Sequence, residues 1–153
     1  MKYLFLFLIS GALVSCAGSD QNSAVLNKNK KDSALLVAIK DSANFTTLAW
    51  IDSTEQNLGK VNEGQVVEIS WRFKNTGNKP LVIGRVQPGC GCTVAEQPQE
   101  PVEPGKEGII KAKFDSKGHP FVQNKDVYVF ANNSNKNNGN TNLLKFHVEV
   151  TPK

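Results

Sequence analysis

The sequence predicts an all-β domain, an antiparallel sandwich of two sheets, and three observations carry that expectation. Apolar and polar residues alternate with period two over 66–74, where Val67, Ile69, Trp71 and Phe73 share one face and Glu68, Ser70, Arg72 and Lys74 the other. Runs of turn formers, Asn75-Thr76-Gly77-Asn78-Lys79-Pro80 above all, end such segments at short intervals. No helical period lies between them. Short strands separated by turn signals pair most simply as two packed antiparallel sheets.

Before the domain comes a leader. Lys2 supplies a positive start, residues 3–9 an apolar run, and Gly11-Ala12-Leu13-Val14-Ser15-Cys16 a small-residue exit ending in cysteine. Gly11 and Ser15 break the apolar run short of the ~20 residues a membrane-spanning helix needs. The box Leu13, Val14, Ser15, Cys16 resembles a bacterial lipoprotein signal. That resemblance implies removal of residues 1–15, acylation of Cys16 and anchoring of the protein to a membrane by several acyl chains, where a single chain holds only marginally. Ala17 follows the cysteine; lipoprotein families retained in the inner membrane often carry Asp there, so the outer membrane is the expected address.

From Ala17 to Asn44 the chain is rich in Ser, Asn, Lys and Asp, a composition that buries too little surface to offset its ordering entropy. With Cys16 it reads as a lipidated flexible tether, 16–44, reaching roughly 30 Å. Within it the apolar run 34–39 fits either a short helix or a first strand. The domain is expected over 45–151. After weak strand signals at 46–51 and the strong strand 66–74, the segment 81–86 resumes an extended apolar pattern. The loop Pro88-Gly89-Cys90-Gly91-Cys92-Thr93 follows, then a weak strand at 93–96 and a break at Glu100-Pro101-Val102-Glu103-Pro104-Gly105. Ile110, Ala112 and Phe114 alternate with lysines; Val127, Val129 and Ala131 oppose Tyr128 and Phe130; Leu144, Phe146, Val148 and Val150 close the pattern. Trp71, Phe73, Phe114, Phe146 and one of Tyr128 or Phe130 are the expected core. Some fifteen large apolar positions, at roughly 1.5 to 3 kcal/mol each, support such a domain without disulfides. The segment 132–142 holds seven asparagines around Asn138-Gly139 and reads as a long hairpin loop, a tolerated insertion or a binding loop.

The net charge of +4, or +3 once residues 1–15 with their single Lys2 are gone, is too mild for nucleic acid. The basic residues are scattered among acidic ones, and no aromatic residues interleave with a basic cluster. Neither a Gly-x-Ser-x-Gly elbow, a phosphate loop nor a His-Glu-x-x-His helix is present, and Asp115 near His119 fits a polar turn. No catalytic residue and no small-molecule substrate is identified.

Leu58-Gly59-Lys60-Val61, Glu63-Gly64, Phe73-Lys74-Asn75-Thr76-Gly77, Pro80-Leu81, Cys90-Gly91-Cys92-Thr93, Pro104-Gly105 and Lys125, Val127, Val129 and Asn132 stand in one order along 45–150. In that order they resemble the bacterial family called domain of unknown function 1573. The resemblance implies an immunoglobulin-like sandwich of about seven strands, with Asn75, Gly77, Cys90, Gly91, Cys92, Thr93, Pro104 and Gly105 as its motif positions. Leu58 stands where that family often has Phe, and Pro120 where it often has Gly.

With Cys16 acylated, Cys90 and Cys92 are the remaining thiols, and three fates compete for them. A disulfide over this spacing needs a turn at Gly91 and closes a very small ring. Two thiolates also suit Cu(I), although His119 and His147 are distant in sequence and the mature chain has no Met. Thiol redox chemistry is the third, in a β setting without the helix N-terminus that usually lowers a reactive thiol's pKa. The function expected is a non-catalytic binding or scaffolding domain on an outer-membrane lipoprotein, engaging another envelope protein through an exposed strand edge. The alternative is a thiol redox or Cu(I)-binding protein acting through Cys90 and Cys92.

Overall fold

Alternation decides which faces meet. The computed structural model describes residues 39–135 and 139–153, so the signal box, Cys16 and most of the tether lie outside the described residues. Among the described residues eight strands form: β1 (Leu48–Trp50), β2 (Glu55–Asn62), β3 (Val66–Asn75), β4 (Ile83–Pro88), β5 (Thr93–Glu96), β6 (Glu107–Asp115), β7 (Phe121–Asn135) and β8 (Gly139–Thr151). One sheet has the order β1-β3-β6-β5 and the other β2-β8-β7-β4. The inward residues of β3 and β6 (Ile69, Trp71, Phe73, Ile110, Ala112, Phe114) meet those of β7 and β8 (Val127, Val129, Ala131, Leu144, Phe146, Val148, Val150) in one core. Phe114 and Trp71 both pack against Phe146, with ring centroids 5.7 and 6.5 Å apart.

The strand count departs from seven for a reason visible at residues 51–54. There the first strand leaves one sheet and joins the other, so β1 and β2 are two halves of one strand. Ile51 N donates to Arg72 O on the first sheet and Lys145 N to Thr54 O on the second. Asp52 holds this switch, taking hydrogen bonds from the Arg72 backbone N–H (2.7 Å) and from its guanidinium (2.7 Å). The Arg72 side chain and then its backbone N–H keep the Asp52 carboxyl below the usual carboxylate range. Continuing in its original direction, β2 runs parallel to β8, whereas the other paired strands among the described residues are antiparallel; an isolated bridge between Thr46 and Asn133 is also parallel.

The sequence reading missed β2. Its apolar positions, Leu58 and Val61, are three apart, because the register shifts between Asn57 and Lys60 around Gly59, at φ 71°. Two further expectations are corrected. Tyr128 and Phe130 lie on the outer face of β7, opposite the buried Val127 and Val129, and the Arg85 guanidinium covers the Phe130 ring at 4.5 Å. The asparagine-rich segment is largely strand: β7 continues to Asn135 and β8 begins at Gly139. Asn133 and Asn142 are buried and exchange amide hydrogen bonds of 3.2 and 3.1 Å across the pair.

Asparagines also close the end where the chain enters. Asp41 caps the short 3₁₀ turn Ser42–Asn44. Ile39, placed in the tether by composition, is buried against Gly84, where a Cβ would come within 3.0 Å of its Cδ1. Asn132 donates to Asn44 O and Pro80 O and accepts from Val82 N. Asn75 donates to Lys79 O (2.7 Å) and Val102 O (2.8 Å) and accepts from Thr46 Oγ1 (3.0 Å) and Gly77 N (3.1 Å).

Candidate functional site

The cysteine loop lies at the opposite end. β4 finishes at Pro88 on the outer rim of one sheet and β5 starts at Thr93 on the rim of the other, so residues 89–92 carry the chain across. Both sides of this crossing are pinned: Gly89 N donates to Asp126 O (2.8 Å), and Cys92 O accepts from Asp115 N (3.0 Å). Between these pins Cys90 and Cys92 are joined by a disulfide, with Cα atoms 5.3 Å apart. Both are half-buried; Cys92 packs against the core, and Gly91 is exposed with nothing within 4 Å of where a Cβ would stand. The hydroxyl of buried Thr93 lies 3.7 Å from Cys90 Sγ and 3.9 Å from Cys92 Sγ.

Two neighbouring turns complete this end. Ser116, buried, donates through Oγ to Gln65 O (2.8 Å) and Asn62 O (3.1 Å), fastening the β6–β7 turn to the β2–β3 turn. Gly118, at φ 73°, donates its N–H to Glu63 Oε1 (3.0 Å), and the His119 ring packs on Phe114 with centroids 6.1 Å apart. The turn delivers Phe121 at φ 69°, a left-handed conformation that is unfavourable for a bulky side chain, with its surface 69 % exposed. Val122 beside it is 66 % exposed. β4 pairs with β7 only from Val127 onward, so Phe121 and Val122 sit on a stretch of β7 whose strand partner is β8.

The motif residues named from the sequence therefore divide between the two ends. Cys90, Gly91, Cys92 and Thr93 form the crossing, whereas Asn75 and Gly77 lie at the far end. There a Cβ on Gly77 would stand 2.0 Å from Thr46 Oγ1. Gly105, at φ 76°, turns the chain after Pro104, and its N–H donates to Asn75 O (2.9 Å). His147 is on the outer face of the second sheet, with Asn124 Oδ1 2.5 Å from Nδ1 and Glu55 Oε1 2.6 Å from Nε2. Among the described residues no group of three or more His, Cys, Asp or Glu side chains stands close enough to hold a metal ion. Sequence reasoning missed Phe121: a positive φ at a non-glycine residue leaves no mark in composition or alternation, and Pro120 before it was the nearest signal.

The strand arrangement, with β1-β3-β6-β5 facing β8-β7-β4, defines an immunoglobulin-like sandwich of the constant type, its first strand split between the sheets. The solved structures agree. A protein of unknown function from Porphyromonas gingivalis W83 superposes with a TM-score of 0.57 at 16 % identity, over 71 % of this chain and 48 % of its own. The VesB protease of Vibrio cholerae superposes with a TM-score of 0.51 at 13 % identity, over 76 % of this chain and 35 % of its own. At these identities the likeness is one of fold, and the chain spans about half the length of the Porphyromonas protein. No curated protein matches the chain in sequence. The chain belongs to the family described as Protein of unknown function (DUF1573), whose model matches residues 49–150.

Proposed function

We propose that this protein is an outer-membrane lipoprotein whose immunoglobulin-like domain binds or scaffolds another envelope protein without catalysis. The observation that carries this reading is the placement of exposed apolar groups. The chain enters the sandwich beside Asn75 and Asn132, while Phe121 and Val122 stand at the opposite end. A left-handed phenylalanine held largely in water opposes folding twice, through backbone strain and through exposed apolar surface, and such outliers recur at recognition sites. An anchor at Cys16 turns that end away from the membrane and toward a partner.

Two measurements test the reading. Metabolic labelling with a palmitate analogue is expected to mark the wild-type protein and not Cys16→Ser, which leaves the membrane fraction. A photo-crosslinking residue at position 121 is expected to capture a discrete envelope protein that the same residue at Ala49, near the other end, does not. Identical products at both positions, or none at 121, would refute the binding role; an unlabelled Cys16 would refute the anchor.

A further inference from the structure

We propose that the Cys90–Cys92 disulfide is a thiol–disulfide exchange site, opened by attack on Cys90, and not a staple of the fold. This goes beyond the binding role and rests on three independent features of the crossing. The first is its size. A cross-link between residues two apart closes so short a loop that its chain-entropy gain is well under that of an ordinary structural bridge.

The second is what remains without the bond. The crossing is pinned by Gly89 N to Asp126 O and by Asp115 N to Cys92 O. Strand pairing continues on either side, Pro88 with Val127 and Thr93 with Phe114. None of these contacts passes through sulfur. Reduction therefore leaves both cysteines where they were, poised to rejoin. A pair that opens without disturbing the fold is suited to repeated exchange.

The third is asymmetry of packing between two half-buried cysteines. Cys92 packs against the core, whereas Cys90 does not, and exposed Gly91 leaves open space beside the pair. An incoming thiolate of a dithiol protein bonds to Cys90 Sγ. The Cys90–Cys92 bond breaks, and its electron pair leaves on Cys92 Sγ, with the Thr93 hydroxyl 3.9 Å from that sulfur and 3.7 Å from Cys90 Sγ. The partner's second thiol then attacks its own sulfur in the mixed disulfide and releases Cys90. Two electrons and two protons pass to this protein, and the partner departs as a disulfide. The reverse sequence re-oxidises the pair.

The test uses the full chain carrying Cys16→Ser, so that the pair supplies the only thiols. The protein is equilibrated with glutathione buffers of graded ratio. Alkylation with intact mass reads the thiols, and near-ultraviolet circular dichroism reads the fold. Reversible reduction with the folded signal retained is expected. Reduction that occurs only together with unfolding overturns the proposal. In the single variants, oxidised glutathione is expected to form a mixed disulfide on Cys90 of Cys92→Ser at least about tenfold faster than on Cys92 of Cys90→Ser. Equal rates, or the opposite order, overturn the assignment of Cys90 as the attacked sulfur.

Discussion

The two ends of the sandwich treat their side chains in opposite ways. Where the chain enters, the Asn75 amide makes four hydrogen bonds, Asn132 joins three segments, and Asn133 and Asn142 satisfy each other. The far end carries a half-buried disulfide, an open glycine and, further along β7, a strained and exposed phenylalanine. The difference teaches that one rim of this fold pairs its buried polar groups in full, while the other leaves apolar and strained groups in the open. Buried polar groups are affordable only when fully paired, and full pairing makes the first rim rigid. The second rim keeps groups unsettled that a purely structural loop would not need.

The comparison breaks most decisively at Asn75. Asn75→Ala removes all four hydrogen bonds of this buried amide, those to Lys79 O, Val102 O, Thr46 Oγ1 and Gly77 N, and is expected to lower the unfolding free energy in urea by about 3 kcal/mol. A loss under about 1 kcal/mol would show that the first rim is not what holds the fold. A matched pair of glycines sharpens the contrast. Gly77→Ala drives a methyl against Thr46 Oγ1 and the backbone N of Thr47, with an expected loss of about 2 kcal/mol by thermal unfolding. Gly91→Ala meets open space and should stay within about 0.5 kcal/mol of wild type. Phe121→Gly reverses the sign. Relief of the left-handed strain is expected to raise stability by up to about 1 kcal/mol while partner capture is lost; destabilisation would mean that the ring serves the core.

The smallest effect belongs to neither end. Arg72 lowers the folded-state carboxyl pKa of Asp52, so this pair's contribution is complete above the unfolded-state range of Asp. It is lost as pH falls through the lowered value. Asp52→Asn should therefore narrow the gap between denaturation midpoints measured at about pH 7 and about pH 3.

Legibility in the sequence followed the range of the interactions. β3 could be read directly, because alternation of Val67, Ile69, Trp71 and Phe73 is local and survives intact in the fold. β2 could not, because Gly59 bulges the strand and shifts the spacing of Leu58 and Val61. Asn132 looked like loop because its partners, Pro80, Val82 and Asn44, lie 50 or more positions away, and Asn133 and Asn142 find each other only once β7 and β8 pair. The cysteine loop was legible as a candidate site. Its place as a bridge between the sheets, with Phe121 at the same end, depends on topology that no local pattern encodes.

The switch of the first strand at Asp52 also sets how the domain responds to force. β2 and β8 run parallel and lie near opposite termini of the described chain. Pulling Ile39 and Lys153 apart therefore slides these strands along each other, so their hydrogen bonds share the load and rupture together. Peeling from a hairpin would instead break them singly. Single-molecule stretching between these residues is expected to need a higher rupture force than stretching between Phe121 and Lys153, which peels β7 from β8 at one end; equal forces would discard the idea. A domain tethered at one rim and gripped at the other would bear tension along its strongest axis.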